Sequence, residues 1–230
     1  MRIVVPPGVF RPRSDTWLLA ELIRADARIP GSAVLDVCTG SGALAVAAAL
    51  GGAREVTAVD VSRRAVLAAW LNARLNGVRV RALRGDLFTP VKDRPFDAIV
   101  SNPPYLPSSG QELPRSGPAR AWDAGRDGRA LLDRIVAGAP SLLRPGGLVL
   151  LIQSSLTGVD ATLERLRAAG LERAEVVARR RGPLGPLLSA RAAELEQRGL
   201  LRPGEREEEL VAIRAVQPQS TPAPAQARPA

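Results

Sequence analysis

A chain of 230 residues, 46% of them hydrophobic, has room for one α/β core and is cramped for two full domains. It holds no histidine and one cysteine, Cys38, which excludes Ser-His-Asp and Cys-His hydrolysis, imidazole acid–base catalysis, an intrachain disulfide and His- or Cys-built metal sites. The net charge of +9 is compatible with contact to nucleic acid or the ribosome, yet Lys92 is the sole lysine among 32 basic residues; a skew that strong fits GC-rich coding bias equally well. No apolar run nears the ~20 residues of a membrane span and no signal-peptide pattern opens the chain, so a cytoplasmic, non-membrane protein is expected.

Taken in order, residues 4–13 read as an irregular opening, and a short amphipathic helix follows. Ser14 or Asp15 can cap it, and Trp17, Leu18, Leu22 and Ile23 recur at helical spacing. The runs 33–38, 55–60, 78–83 and 96–101 predict four strands, with helices over 43–50 and 63–75 between the first three. A helix over 128–143 ends at the stop signal Arg144-Pro-Gly-Gly147, and 148–153 reads as a fifth strand buried on both faces. A helix over 159–169, a strand over 172–178, a helical insertion over 187–197 and a last strand over 208–215, open to an antiparallel entry, complete the array. Alternating strands and helices predict a seven-stranded, mostly parallel Rossmann-like sheet covered on both faces. The expected organisation is an N-terminal segment over 1–30, the main domain over 31–216, and a disordered tail over 217–230, rich in Pro, Ala, Gln and Ser.

Asp36-Val-Cys-Thr-Gly-Ser-Gly42 sits where the first strand turns into the first following helix. Glycine there lets the backbone approach a ligand closely. Asp60 ends the second strand eighteen positions after Gly42, near the ~20-residue offset at which a carboxylate grips ribose hydroxyls. Gly85-Asp-Leu87 ends the third strand, where Asp86 could accept from an adenine amino group. Ala45 and Val46 stand where a dinucleotide fold would carry its third glycine. With the leading Asp36, this Asp-x-x-x-Gly-x-Gly form looks like the first motif of class I methyltransferases. That likeness favours S-adenosylmethionine over a dinucleotide, with Thr16, Asp36, Thr39, Gly40, Gly42, Asp60, Val61, Asp86, Leu87 and Asn102 as candidate cofactor contacts.

Ser101-Asn-Pro-Pro-Tyr105 follows the fourth strand. Pro103 and Pro104 fix φ and remove two donors, so the surrounding carbonyls are held stiffly. The Asn102 side-chain oxygen and the Pro103 carbonyl can each accept one N–H of a planar NH2 group, while Tyr105 can pack on its flat face. Asn102, Pro103, Pro104 and Tyr105 are therefore the candidate catalytic residues, working by position and electrostatics without a strong base.

With these residues in hand, the chain resembles the HemK-type protein-(glutamine-N5) methyltransferases, over nearly its whole length to Val216. Arg11-Pro-Arg-Ser-Asp-Thr16 is similar to the family's N-terminal Arg-Pro-rich stretch, which helps close the cofactor pocket. Ala121-Trp-Asp-Ala-Gly-Arg-Asp-Gly128, then Leu131, Leu132 and Arg134, and also Gln153-Ser-Ser-Leu156, are similar to the small single-domain branch of archaea and eukaryotes. The resemblance implies Asn102 and Pro103 as an amide clamp, Asp60 and Asp86 as cofactor carboxylates, Tyr105 beside the substrate, and the glutamine of a release factor's Gly-Gly-Gln loop as acceptor. The helical N-terminal domain of the bacterial release-factor enzymes has no counterpart here, and the insertion over 184–204 matches no family function. Eukaryotic members of the small branch work with a small zinc-binding activator; nothing in these residues calls for one.

Three rival readings share the same residues, one of them N-methylation of a small molecule. N6 of adenine or N2 of guanine in DNA or RNA presents the same flat NH2, and a non-catalytic cofactor-binding protein would have no need of the Asn-Pro-Pro-Tyr clamp. Trp70 reads as core packing, Trp122 as core or substrate-facing, Cys38 as a small buried hydrophobe, and the acidic run Glu205 to Glu209 as a solvated turn.

Overall fold

The computed structural model describes residues 1–110 and 112–219. Its centre is a seven-stranded sheet of β1 (Ala33–Val37), β2 (Glu55–Asp60), β3 (Arg81–Arg84), β4 (Phe96–Ser101), β5 (Leu143–Ser154), β6 (Glu172–Pro183) and β7 (Glu207–Val216), in the order β3-β2-β1-β4-β5-β7-β6. The first five strands pair in parallel, while β7 runs antiparallel between β5 and β6. The helices are α1 (Ser14–Ala25), α2 (Ala43–Leu50), α3 (Arg63–Leu75), α4 (Ala130–Gly138), α5 (Val159–Ala168), and the short α6 (Pro186–Ala190) and α7 (Ala192–Gln197).

Both sheet faces are buried, which is why β1, β4 and β5 read as near-continuous apolar runs. Leu35, Val37, Ile99, Val149 and Leu151 pack on one face with α4 and α5 residues such as Leu132 and Leu166. Val34, Val100, Leu148 and Leu150 pack on the other with Leu19, Ile23 and the small side chains of α2. The strand order reverses beside β1, so the carboxyl ends of β1, β2, β3 and β4 open into the crevice where such sheets bind ligands.

Several boundaries differ from the sequence reading for identifiable reasons. Helix α1 starts at Ser14 itself, and neither Ser14 nor Asp15 caps it: no side-chain cap bond is made, and Asp15 turns inward. Strand β1 stops at Val37 because Cys38 adopts φ 60°. Strand β3 starts at Arg81, since Val78 N–H returns to Ala73 O and closes the end of α3. Pro140 turns the end of the predicted helix over 128–143 into a separate 3₁₀ turn, Ala139–Leu142. The stop signal falls inside β5. Phe96 pairs with Leu143 and Ala98 with Leu148, so Arg144-Pro-Gly-Gly147 forms a bulge, with Arg144 paired to Asp97 at 3.1 Å.

The N-terminal opening is strapped along α3. The Asn72 side chain accepts from Val4 N–H at 2.8 Å and donates to Val4 O at 2.8 Å, and Asn76 does the same for Arg2 at 2.8 and 2.7 Å. Gln217, read as the first tail residue, donates to Gly147 O at 2.8 Å and accepts from Gly146 N–H at 3.0 Å. Residues 220–230 of that tail lie outside the described residues.

Gly42 carries the packing of α2 on α3. Its φ is +81°, and an added Cβ would sit 2.6 Å from Ala69 Cα, a backbone atom with little room to yield. Gly42→Ala therefore lowers stability by roughly 2 kcal/mol or more, read as a fall in Tm; an unchanged Tm would contradict the close approach.

Candidate active site

The four strand ends enclose one cavity of about 460 Å³, within the usual range for a small-molecule site. Its cofactor half begins with the turn after β1. Cys38 and Leu87, both on its wall, hold φ 60° and 47°, left-handed conformations that non-glycine residues adopt only where their surroundings enforce them. Gly40 also lines the cavity at φ 55°, and a Cβ added there would meet nothing within 4 Å. The space beside this turn is open and shaped by backbone.

Asp60 is the most firmly held acid of this half. One carboxylate oxygen accepts Gly40 N–H at 2.9 Å and the other accepts Ser62 N–H at 2.8 Å. Burial raises its pKa, and the two N–H bonds counter part of that rise. Asp60 lines the cavity. Val61 and Leu87 flank it as apolar wall. Asp86 lines the same end, but its carboxylate is half-exposed and paired with Arg134 at 2.6 Å. These donors and acceptors fit a nucleoside-bearing cofactor.

Asp36 and Gly42, two of the candidate cofactor contacts, are not on the cavity wall. Asp36 points to the α2 side of β1, where one oxygen accepts Thr39 Oγ1 at 2.5 Å and Ala45 N–H at 3.0 Å. It thus supplies the acceptor that Gly42, the side-chain-less N-cap of α2, cannot. The other Asp36 oxygen is buried without a partner, and burial pushes the carboxyl up to about 7. Because the folded pKa exceeds the ordinary value of 3.8, this group favours the fold fully below about pH 4 and loses that contribution as pH rises through 7. Asp36→Asn is expected to flatten the fall in Tm between pH 4 and pH 8; an unchanged slope would contradict this ionisation.

The second half of the cavity is built on Asn102-Pro-Pro-Tyr105 and the start of α1. Asp15, 3% exposed, accepts Asn102 Nδ2 at 3.0 Å and Tyr105 Oη at 2.8 Å on one oxygen. Thr16 Oγ1 accepts the same Asn102 amide at 3.1 Å. With its NH2 end committed to these partners, the Asn102 side chain presents Oδ1 as its acceptor end. Tyr105 is buried against Leu19 and Leu44 in the core, and burial together with Asp15 pushes its phenol pKa up. It lines the cavity but is held by its hydroxyl rather than standing free as a flat platform. Gly128 makes room for this loop: at φ +74°, any Cβ there would collide with Tyr105 O.

Three functional candidates escaped the sequence reading. Asp15 was read as a cap. Glu208, read both as the start of the last strand and as part of a solvated acidic run, sits on β7, lines the cavity, and has its pKa raised by burial. Pro183 at the end of β6 and Gly185 to Leu188 of the unmatched insertion form another wall. Trp122 lines the cavity, whereas Trp70 is 42% exposed with the Arg74 guanidinium 5.1 Å above its ring, not in the core. Cys38, read as a small hydrophobe in a buried strand, lies just past β1 as a half-buried free thiol on the cavity wall, and burial pushes its pKa up.

Known proteins resemble this chain. The family model described as "Methyltransferase small domain" matches residues 1–113. A protein of Methanocaldococcus jannaschii, provisionally named a protein N5-glutamine methyltransferase, is 36% identical over 85% of this chain and 96% of its own. The chain belongs to the HemK-type methyltransferases. The release factor glutamine methyltransferase of Bordetella pertussis is 44% identical over 76% of this chain, which spans only 66% of that larger protein. Among solved structures, the 16S rRNA N2 G1207 methyltransferase of Thermus thermophilus, determined with AdoMet and guanosine, has a TM-score of 0.59 at 22% identity, covering 94% of this chain and 49% of its own. That likeness shows the shared class I fold. As a HemK-type enzyme, the chain is an S-adenosylmethionine-dependent methyltransferase. Among the described residues, no helix is long and apolar enough to cross a membrane, and no cluster of potential metal ligands occurs.

Proposed function

We propose that this enzyme methylates the side-chain amide nitrogen of a glutamine in a peptide-chain release factor or related translation protein, in the cytoplasm. The orientation of Asn102 carries the reading. Asp15 and Thr16 fix its amide so that Oδ1, beside the Pro103 carbonyl, offers two acceptors for the two N–H groups of a planar primary amide. The names of the archaeal and bacterial relatives support the same acceptor.

S-adenosylmethionine supplies an electrophilic methyl that needs in-line approach and no acid. Asp60 and Gly40 would hold its ribose end, and Val61, Asp86 and Leu87, which line the same part of the cavity, would border the base. Residues 1–30 close the pocket, with Pro12 to Thr16 lying across it. Asn102 and Pro103 align the amide nitrogen and draw electron density toward it, while Pro104 stiffens the loop and Tyr105 braces Asp15. A nucleobase amine presents the same two N–H groups, so the acceptor class is tested directly. Incubating the enzyme with methyl-tritiated donor and a lysate should place the label in the protein fraction; label confined to RNA or DNA would overturn the glutamine reading.

A further inference from the structure

The insertion between β6 and β7 was the one segment to which the sequence assigned no role. In the structure it is a folded unit. Leu184, Leu188, Ala192, Leu195 and Leu201 form their own small core, with Leu106 and Leu156 packed against it. Two arginines lock it onto the loop that follows the Asn-Pro-Pro-Tyr motif. Arg191 Nη1 donates to Pro107 O at 2.9 Å and to Asp123 Oδ1 at 2.6 Å, both partners being largely buried. Arg198 donates to Ser108 O at 3.2 Å and to Arg126 O. Its first turn, Pro186 to Leu188, faces the same cavity as Asn102 and Trp122.

We infer that α6 and α7 form the wall that selects the methyl acceptor, making with Trp122 and Pro118 a slot for an extended, uncharged peptide segment that carries the glutamine. This rests on the glutamine reading above and specifies what surrounds that side chain. Three features argue for a peptide over a nucleic acid. The slot walls are apolar at Pro118, Trp122, Pro186 and Leu187. Asp15 and Glu208 place two carboxyls on the acceptor side of the cavity, and they repel a polyanionic backbone. Glu208 Oε2 is buried without a hydrogen-bond partner, and Arg13 stands on the same wall near Gly185. An acceptor and a donor so placed match the alternating N–H and C=O groups of a peptide strand.

Leu187 is the variant of choice, because it is only partly buried and lies outside the insertion's own core. With a release factor as acceptor, Leu187→Asp should raise the KM for that protein at least about tenfold, since a desolvated charge at an apolar contact opposes binding. The Kd for S-adenosylmethionine, measured on the same preparation, should stay unchanged and so report an intact fold. Leu187→Met should restore most of the wild-type KM. If wild type methylates the release factor and Leu187→Asp keeps its KM, the slot is wrong while the glutamine reading stands. If wild type with bound donor methylates no release factor, both are overturned.

Discussion

Asn102→Ala is expected to lower kcat by roughly 10²–10³-fold, the usual loss when one preorganised electrostatic partner is removed from a reacting group. The side chain supplies one of the two carbonyl-type acceptors at the end of β4. Its own amide is anchored by Asp15 at 3.0 Å and Thr16 at 3.1 Å, so no other group can swing in to replace it. Truncation leaves the Pro103 carbonyl alone to orient an amide that then rotates about a single hydrogen bond. Cofactor affinity should change little, because Asp60, Gly40 and the Leu87 turn lie on other strand ends. Single-turnover kinetics beside equilibrium donor binding separates the two effects. A kcat close to wild type would contradict the clamp, and a collapse of donor binding would relocate Asn102 to the cofactor.

Asp15→Ala should reduce kcat by about tenfold to a hundredfold, the scale expected when a reacting group is misplaced by about 1 Å. Asp15 touches neither half of the reaction as drawn; it is a positioning residue that holds Asn102 Nδ2 and Tyr105 Oη on one buried oxygen. Its removal strands the Tyr105 hydroxyl in the core, and an unsatisfied buried group of that kind destabilises by about 1–3 kcal/mol. Asp15→Asn keeps an acceptor at the same place and should recover part of both losses. A purely structural role would lower Tm without changing kcat per folded molecule, and that pattern would refute the positioning role.

The strands legible in the sequence were those whose ends are set by local chemistry. Asp60 ends β2 and Ser62 caps α3 by accepting Ala65 N–H at 3.4 Å, so both boundaries fell where the residues put them. The bulge in β5 was not legible, because Arg144-Pro-Gly-Gly147 is a helix stop by composition and becomes a strand irregularity only through pairing with β4 and Asp97. At the site, Gly40, Asp60 and Asn102 were visible because their spacing along alternating strands carries the chemistry. Asp36 belongs to the same motif, yet it braces α2 from beneath. Asp15 and Glu208 stand 193 positions apart and meet only when α1 and β7 are packed beside Tyr105. The available signal for Glu208 was an acidic residue opening an otherwise apolar run, which a strand exit and a solvated turn share.

Trp70 was misread for a related reason. Helical periodicity places Leu67, Trp70, Leu71 and Leu75 on one face of α3, and an apolar face is ordinarily a core face. Here the core is served by the small side chains Ala65, Ala68, Ala69 and Ala73, with the larger residues left outside. Small residues at those positions permit the close approach at Gly42.

The proposed reaction places a methyl group on a glutamine side-chain nitrogen. Tandem mass spectrometry of a release factor, after incubation with the purified enzyme and S-adenosylmethionine, tests it most directly. One added methyl is expected on the glutamine of the Gly-Gly-Gln loop, absent when Asn102→Ala replaces wild type. A release factor left unmodified by enzyme that binds the donor, or a methyl on any other residue type, would contradict it.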